Sequence, residues 1–275
     1  MKDSREEWLE KDLKVAVTVV DVTSAAQELA RGHLCGPTSA YYLAKALAAA
    51  ALLGGEMSEK DETLILQMKC KGPLGGFNVE CTGEGTLRGY TEKKILDGFD
   101  GMGKPKDAEI VGEAQIQVTR SVPGRVLSQG ISSSLDGYLA GSLQRKACIR
   151  TEVAVSDEVE VLEARGVMVE ILPDSKMGTL ESAGPEDVKN PLLSLLDTKA
   201  PVRLSVASRN ILKQLGLEKA ELRKTTPLSF ACRCSPDRAV AMLAALSEEE
   251  RKALPPTVDI TCHMCGKTFT VKTCA

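Results

Sequence analysis

Hydrophobic and polar positions alternate with period two over Leu13 to Val22, a stretch rich in Val and Thr, which predicts a strand. Asp21 to Gly32 then reads as a short helix. Gly36-Pro37-Thr38 opens a longer one through Tyr41, Leu43, Leu47, Ala50 and Leu53, closed by Gly54-Gly55. Its alanines (Ala40, Ala44, Ala46, Ala48 to Ala51) leave it apolar nearly all round. Such a helix is buried, with sheet expected on more than one side. Strand signals return at Glu62 to Lys69, Phe77 to Cys81 and Thr86 to Tyr90, separated by glycine turns. Asp97 to Asp107 is a glycine-rich loop. Ala114 to Arg120 and Arg125 to Gln129 flank Pro123-Gly124, Leu135 to Gln144 is helical, and Cys148 to Val155 and Val167 to Leu172 complete the strand set.

The pattern predicts an α+β fold in three parts. Residues 1–175 form a domain of antiparallel sheets around the buried helix. A polar stretch from Lys176 to Pro185 leads into a helical pattern over Glu186 to Lys224, cut by Pro191 and Pro201, so 176–229 is a helical linker domain. Residues 230–275 form a small C-terminal zinc-binding domain. There Ser235 caps a helix beginning at Pro236, Ser247 to Glu250 is a capping box for a second, and Val258 to Thr261 and Lys267 to Val271 form a hairpin.

Composition narrows the classes. With 275 residues the chain can bury a substantial core, and at 3% aromatics that core is aliphatic. A net charge of −3 argues against duplex nucleic acid or an anionic membrane as partner. The run Ala46 to Gly55 is too short to span a bilayer, and the charged opening MKDSREEWLEKD has no apolar signal region. Nine cysteines without a signal peptide point to a reducing, cytoplasmic compartment, where metal binding or redox sensing is expected of them.

Four of those cysteines carry the chemistry. Cys232-x-Cys234 and Cys262-x-x-Cys265 are separated by 27 residues. Two close thiol pairs across a moderate loop fit one tetrahedral four-thiolate zinc site. Neighbouring thiolates can also oxidise to short-range disulfides. Zinc keeps them deprotonated, hence nucleophilic. A closed site contributes on the order of 10 kcal/mol to folding of a small domain. A 44-residue tail with few large apolar side chains cannot replace that from its own core.

These stretches, FACRCSPDRA and VDITCHMCGKTF, resemble the thirty-three-kilodalton heat-shock chaperones, redox-regulated holdases also called HslO. GPTSAYYLAKALAAAALLG, LQMKCKGPLGGFNVE and GTLRGY resemble segments of the same family, so the likeness runs nearly end to end. Met264 stands where an aromatic residue is usual, the segment from Tyr138 to Ala147 departs from the usual wording, and Cys274 is an extra thiol. The resemblance implies an ATP-independent chaperone, not an enzyme, with one Zn2+ per reduced chain held by Cys232, Cys234, Cys262 and Cys265. It implies that oxidation forms Cys232-Cys234 and Cys262-Cys265 disulfides, releases zinc and unfolds the C-terminal domain. The linker then exposes apolar surface to unfolded client proteins. It further implies an active homodimer that passes clients to ATP-dependent foldases.

Rival readings are weaker. A zinc-ribbon nucleic-acid module needs a basic stripe with aromatics, but residues 232–275 hold six Arg or Lys against five Asp or Glu. A catalytic zinc keeps an open position and mixed ligands, unlike four thiolates. His263 could replace a ligand but is expected to face solvent. Gly83-x-Gly85-x-x-x-Gly89 reads as a hairpin turn and not a dinucleotide loop. Cys35, before the long helix, could be a reactive thiol but reads as an ordinary buried residue. Cys70, Cys81 and Cys148 fall on strand patterns and read as core.

Overall fold

The computed structural model describes residues 2–101, 106–173, 175 and 202–273. Cys274 and the linker stretch 176–201, including the first part of the helical pattern from Glu186 to Ala200, lie outside them.

The chain opens with β1 (Ser4–Glu10), β2 (Val15–Asp21), α1 (Thr23–Gly32) and α2 (Pro37–Leu53). A meander follows: β3 (Thr63–Cys70), β4 (Gly76–Thr82) and β5 (Thr86–Thr91). Beyond a short α3 (Asp107–Ile110) come β6 (Ala114–Val122), β7 (Arg125–Ser132), α4 (Leu135–Gly141), β8 (Lys146–Val155) and β9 (Val161–Ile171). Then come α5 (Ser208–Gln214), β10 (Glu221–Pro227), the two-residue β11 (Ser229–Phe230), α6 (Pro236–Ala244), α7 (Glu248–Lys252), β12 (Thr257–Thr261) and β13 (Thr268–Lys272).

Two mainly antiparallel sheets sandwich α2. The first runs β10-β1-β2-β9-β8 and the second β11-β5-β4-β3-β6-β7; β12 and β13 form a separate hairpin. Helix α2 packs on β2, β8 and β9 of one sheet and on β3, β4 and β5 of the other. It buries 14 of its 17 residues, because alanine lets both sheets approach closely and adds no side-chain entropy cost. The buried helix with sheet on two sides is therefore as the sequence predicts.

The first sheet is covered on both faces. Val20, Ile149, Ala164 and Met168 belong to the core around α2. Trp8, Val15, Val17, Val19, Val167 and Val169 point the other way, against Leu204, Ile211, Leu212, Leu215 and Leu217 of the segment containing α5. This segment is a lid on the outer face of the sheet.

Two strands depart from expectation. The helical reading through Lys224 fails, since Glu221 to Pro227 form edge strand β10, paired antiparallel with β1. Its exposed, charged residues carry no alternating apolar signal. β1 is hidden for the converse reason: it buries polar groups. Arg5 is 1% exposed; its Nη1 donates to Ala51 O at 3.2 Å, near the end of α2. Just ahead of β1, the Asp3 carboxylate accepts from the backbone N–H groups of Ser24 (3.0 Å) and Ala25 (2.7 Å). It caps α1, whose own N-cap residue Val22 has no side chain to do so.

A chain of partly buried charges joins the sheets. Arg120 on β6 meets Glu62, with Nε at 2.7 Å, and Glu56, with Nη1 at 3.7 Å. Arg145 continues the chain from Glu56 to Glu170 on β9.

Candidate metal centre

Each half of the centre is built by local rules. Ser235 Oγ accepts from Arg238 N at 3.2 Å and starts α6 directly after Cys234. Ser247 and Glu250 form the expected capping box of α7. The β12–β13 hairpin sets Thr261 opposite Thr268, and the knuckle between them closes with Cys262 N donating to Lys267 O (2.9 Å) and Gly266 N to Cys262 O (2.8 Å).

The four sulfurs converge. Cys232 Sγ lies 3.8 Å from Cys262 Sγ, Cys234 Sγ lies 3.5 Å from Cys265 Sγ, and all four lie within 4.8 Å of one another. A tetrahedron with zinc–sulfur bonds of about 2.3 Å has sulfur–sulfur edges of about 3.8 Å. The donors thus fit a four-thiolate ion in number, type and spacing. The separations exceed the roughly 2.05 Å of a disulfide, and all four are free thiols.

The thiols are not equivalent. Burial pushes Cys232 up, but the Cys234 backbone N–H, the Arg88 guanidinium and neighbouring thiols outweigh it, and its pKa falls to about 7. Burial and crowding by the other thiols push Cys234 and Cys265 up. The thiols interact so closely that they titrate as one set. Arg88 Nη1 sits 3.8 Å from that sulfur and its guanidinium is bound to Glu80, which also pairs with Arg233 at 3.4 Å. Glu80 is thus shared by the two arginines beside the centre and offsets one of their two positive charges.

The knuckle is docked on β5 and α1. Gly89 N on β5 donates to Met264 O at 3.0 Å. Gly266, at φ +73°, lies so close to α1 that a Cβ there would stand 2.0 Å from Gly32 O. His33 lies beside this contact. It is 8% exposed, and its Nε2–H donates to Gly89 O at 2.9 Å. Burial and the Lys94 charge lower its pKa to about 4, so it is neutral at pH 7. His263 is exposed, packs edge-on against Tyr90 at 5.4 Å and is not one of the converging donors.

The sequence reading found the four cysteines and missed Arg88, Gly32, His33, Gly89 and Gly266. Gly266 directly after a ligand cysteine was the one readable signal, since tight knuckles favour glycine at positive φ. Cys35, Cys81 and Cys148 are buried and Cys70 is half-buried. Burial raises the thiol pKa of Cys35, Cys70 and Cys81, as expected of core residues.

Comparison with known proteins agrees with this architecture. The family model described as "Hsp33 protein" matches residues 3–272. The chain belongs to the Hsp33 family. Among Hsp33 relatives, the 33 kDa chaperonin of one Thermus thermophilus strain is 30% identical, over 92% of this chain and 79% of its own. That of Symbiobacterium thermophilum is 28% identical, over 90% and 86%. The crystal structure of the 33 kDa chaperonin, an Hsp33 homolog, from Thermotoga maritima superposes with a TM-score of 0.83 at 20% identity, covering 99% of this chain and 96% of that one. The chain is thus a member of a chaperone family with a mixed α+β fold. Among its described residues no helix is long and apolar enough to cross a membrane.

Proposed function

We propose that the protein is a redox-regulated, ATP-independent holdase whose switch is the four-cysteine centre. Cys232, Cys234, Cys262 and Cys265 hold one Zn2+ in the reduced chain. The bound ion supplies charge that keeps all four as thiolates and ties residues 230–234 to the β12–β13 knuckle. Oxidation removes these ligands: each disulfide takes two thiolates and gives up two electrons to an oxidant such as peroxide. The pairs are Cys232-Cys234 and Cys262-Cys265, local links that close loops too short to hold the domain together.

One observation carries the reading. Among the described residues from 232 onward, only Ala239, Cys265 and Val271 are buried, so the thiol cluster is the tail's main cross-link. Once it opens, α6 and α7, short helices on an exposed surface, have too little core to stay folded. The segment 202–220, joined to the tail in sequence through β10 and β11, is then free to lift, baring Leu204, Ile211, Leu212 and the Trp8–Val17 face to unfolding clients. The three-part division at 175 and 229 belongs to this reading, as do the active homodimer, transfer of clients to ATP-dependent foldases and residence in the cytoplasm.

The test is zinc stoichiometry with thiol counting. Reduced protein should carry one zinc per chain; peroxide with mild warming should release it, consume four thiols and suppress aggregation of a thermally unfolding client. Zinc near zero with intact thiols ends the proposal.

A further inference from the structure

Much of the outer edge of β5 is covered by pieces that adjoin the cysteine centre, while Gly89 O and Thr91 O are bound by His33 and Lys94. Along that edge every second residue turns its backbone outward. Gly85 O accepts from Ser229 N (3.1 Å) and Leu87 O from Ala231 N (3.1 Å). Two residues further, Gly89 N donates to Met264 O (3.0 Å). The pairing of β11 with β5 is parallel and spans only Ser229↔Thr86 and Phe230↔Leu87. Both ends of this cover adjoin thiols of the cluster: Ala231 precedes Cys232, and Met264 lies between Cys262 and Cys265. Leu228 is 5% exposed and Phe230 packs beside it on the same core. The cover is therefore an extended segment with apolar side chains two residues apart, seated by main-chain bonds.

We propose that the outer edge of β5 is a docking strand for unfolding polypeptide, and that residues 228–231 with Met264 occupy it until the cysteine centre opens. This rests on the reading that oxidation frees the C-terminal segment. An edge strand that loses its partner presents a row of unpaired N–H and C=O groups. An added strand binds them in any sequence, and alternate apolar side chains fill the places of Leu228 and Phe230. The occupant is an extended stretch of non-native chain with large apolar residues at i and i+2. Such stretches are buried in folded proteins and surface when these unfold. The surface bared beneath residues 202–220 supplies adhesion without direction; β5 supplies direction and register.

The experiment uses the full-length oxidised protein and a permanently unfolded probe, reduced and carboxymethylated α-lactalbumin. Zinc release and co-elution of the probe are read first, then amide exchange of Thr86–Thr91 with and without it. A competitor peptide spanning residues 227–235, with both cysteines replaced by serine, is compared with a version N-methylated at the amides of residues 229 and 231. The expected result is slower exchange of β5 when the probe is bound and displacement by the plain peptide. The methylated peptide, lacking the two donors, should compete about tenfold or more weakly. Bound probe with unchanged β5 exchange, or equal competition by both peptides, overturns the docking strand and leaves the switch standing. Protection of β5 without probe, in a chain that dimerises through it, makes a second copy the occupant and likewise overturns the proposal. Retained zinc with no co-elution overturns the switch and the docking strand together.

Discussion

The region around α2 and the tail after Cys232 are held together by different physics. Helix α2 buries 14 of 17 residues between two sheets, so its place is fixed by aliphatic contact on every side. The tail buries three side chains among its described residues and gathers four thiols at one point. Apolar burial depends weakly on redox conditions, whereas a thiolate cluster depends on them wholly. The lesson is that a switch can be built without weakening the body, provided the conditional part has no core of its own.

Four measurements would break or sharpen this contrast. The largest effect should come from emptying the centre. Chelation under reducing conditions, or Cys262→Ser, should remove stabilisation on the order of 10 kcal/mol from the tail. Limited proteolysis should then cut within 232–273 while 2–173 resists; simultaneous loss of both would refute independence.

Next comes the body. Leu47 is fully buried, and Leu47→Ala should destabilise the chain by about 2–5 kcal/mol. Because the tail docks on this body, a denaturant melt of the reduced protein should show both regions shifting, and a shift confined to one would be evidence against docking.

Gly266→Ala is a finer probe. At φ +73° with Gly32 O in the way, any Cβ should cost about 1–3 kcal/mol of docking. Zinc content should stay at that of the parent while Gly89 amide exchange quickens; a fall in zinc content would mean that the knuckle and its dock are one unit.

The smallest effect is a pH slope. His33 titrates near 4 in the folded chain against 6.5 for the free group, so the unfolded form takes up the proton first as pH falls. Its contribution is complete above pH 6.5 and is lost progressively down to about pH 4. His33→Gln can still donate to Gly89 O and does not titrate, so the slope of folding stability against pH should flatten over this range. An unchanged slope would assign it to other groups.

How much of this the sequence discloses depends on what carries each element. Helix α2 is legible because alanine, glycine and proline mark burial and ends. The cysteine cluster is legible because ligand spacing is local. β1 and β10 are not, because Arg5, Asp3 and the charged face from Glu221 to Lys224 answer to partners far along the chain. The dock is not legible either. Gly32 and Gly266 are 234 positions apart, and nothing near either names the other. The helix predicted through Lys224 failed because a solvated edge strand and a solvated helix face share the same polar composition.

The charge chain from Glu62 through Arg120, Glu56 and Arg145 to Glu170 bears on endurance. Hydration of ions loses free energy on warming, because ordered water around each charge becomes entropically less favourable. The desolvation penalty of such a chain therefore shrinks as temperature climbs. The bond between the two sheets should weaken least in the heat that denatures less well-bridged folds.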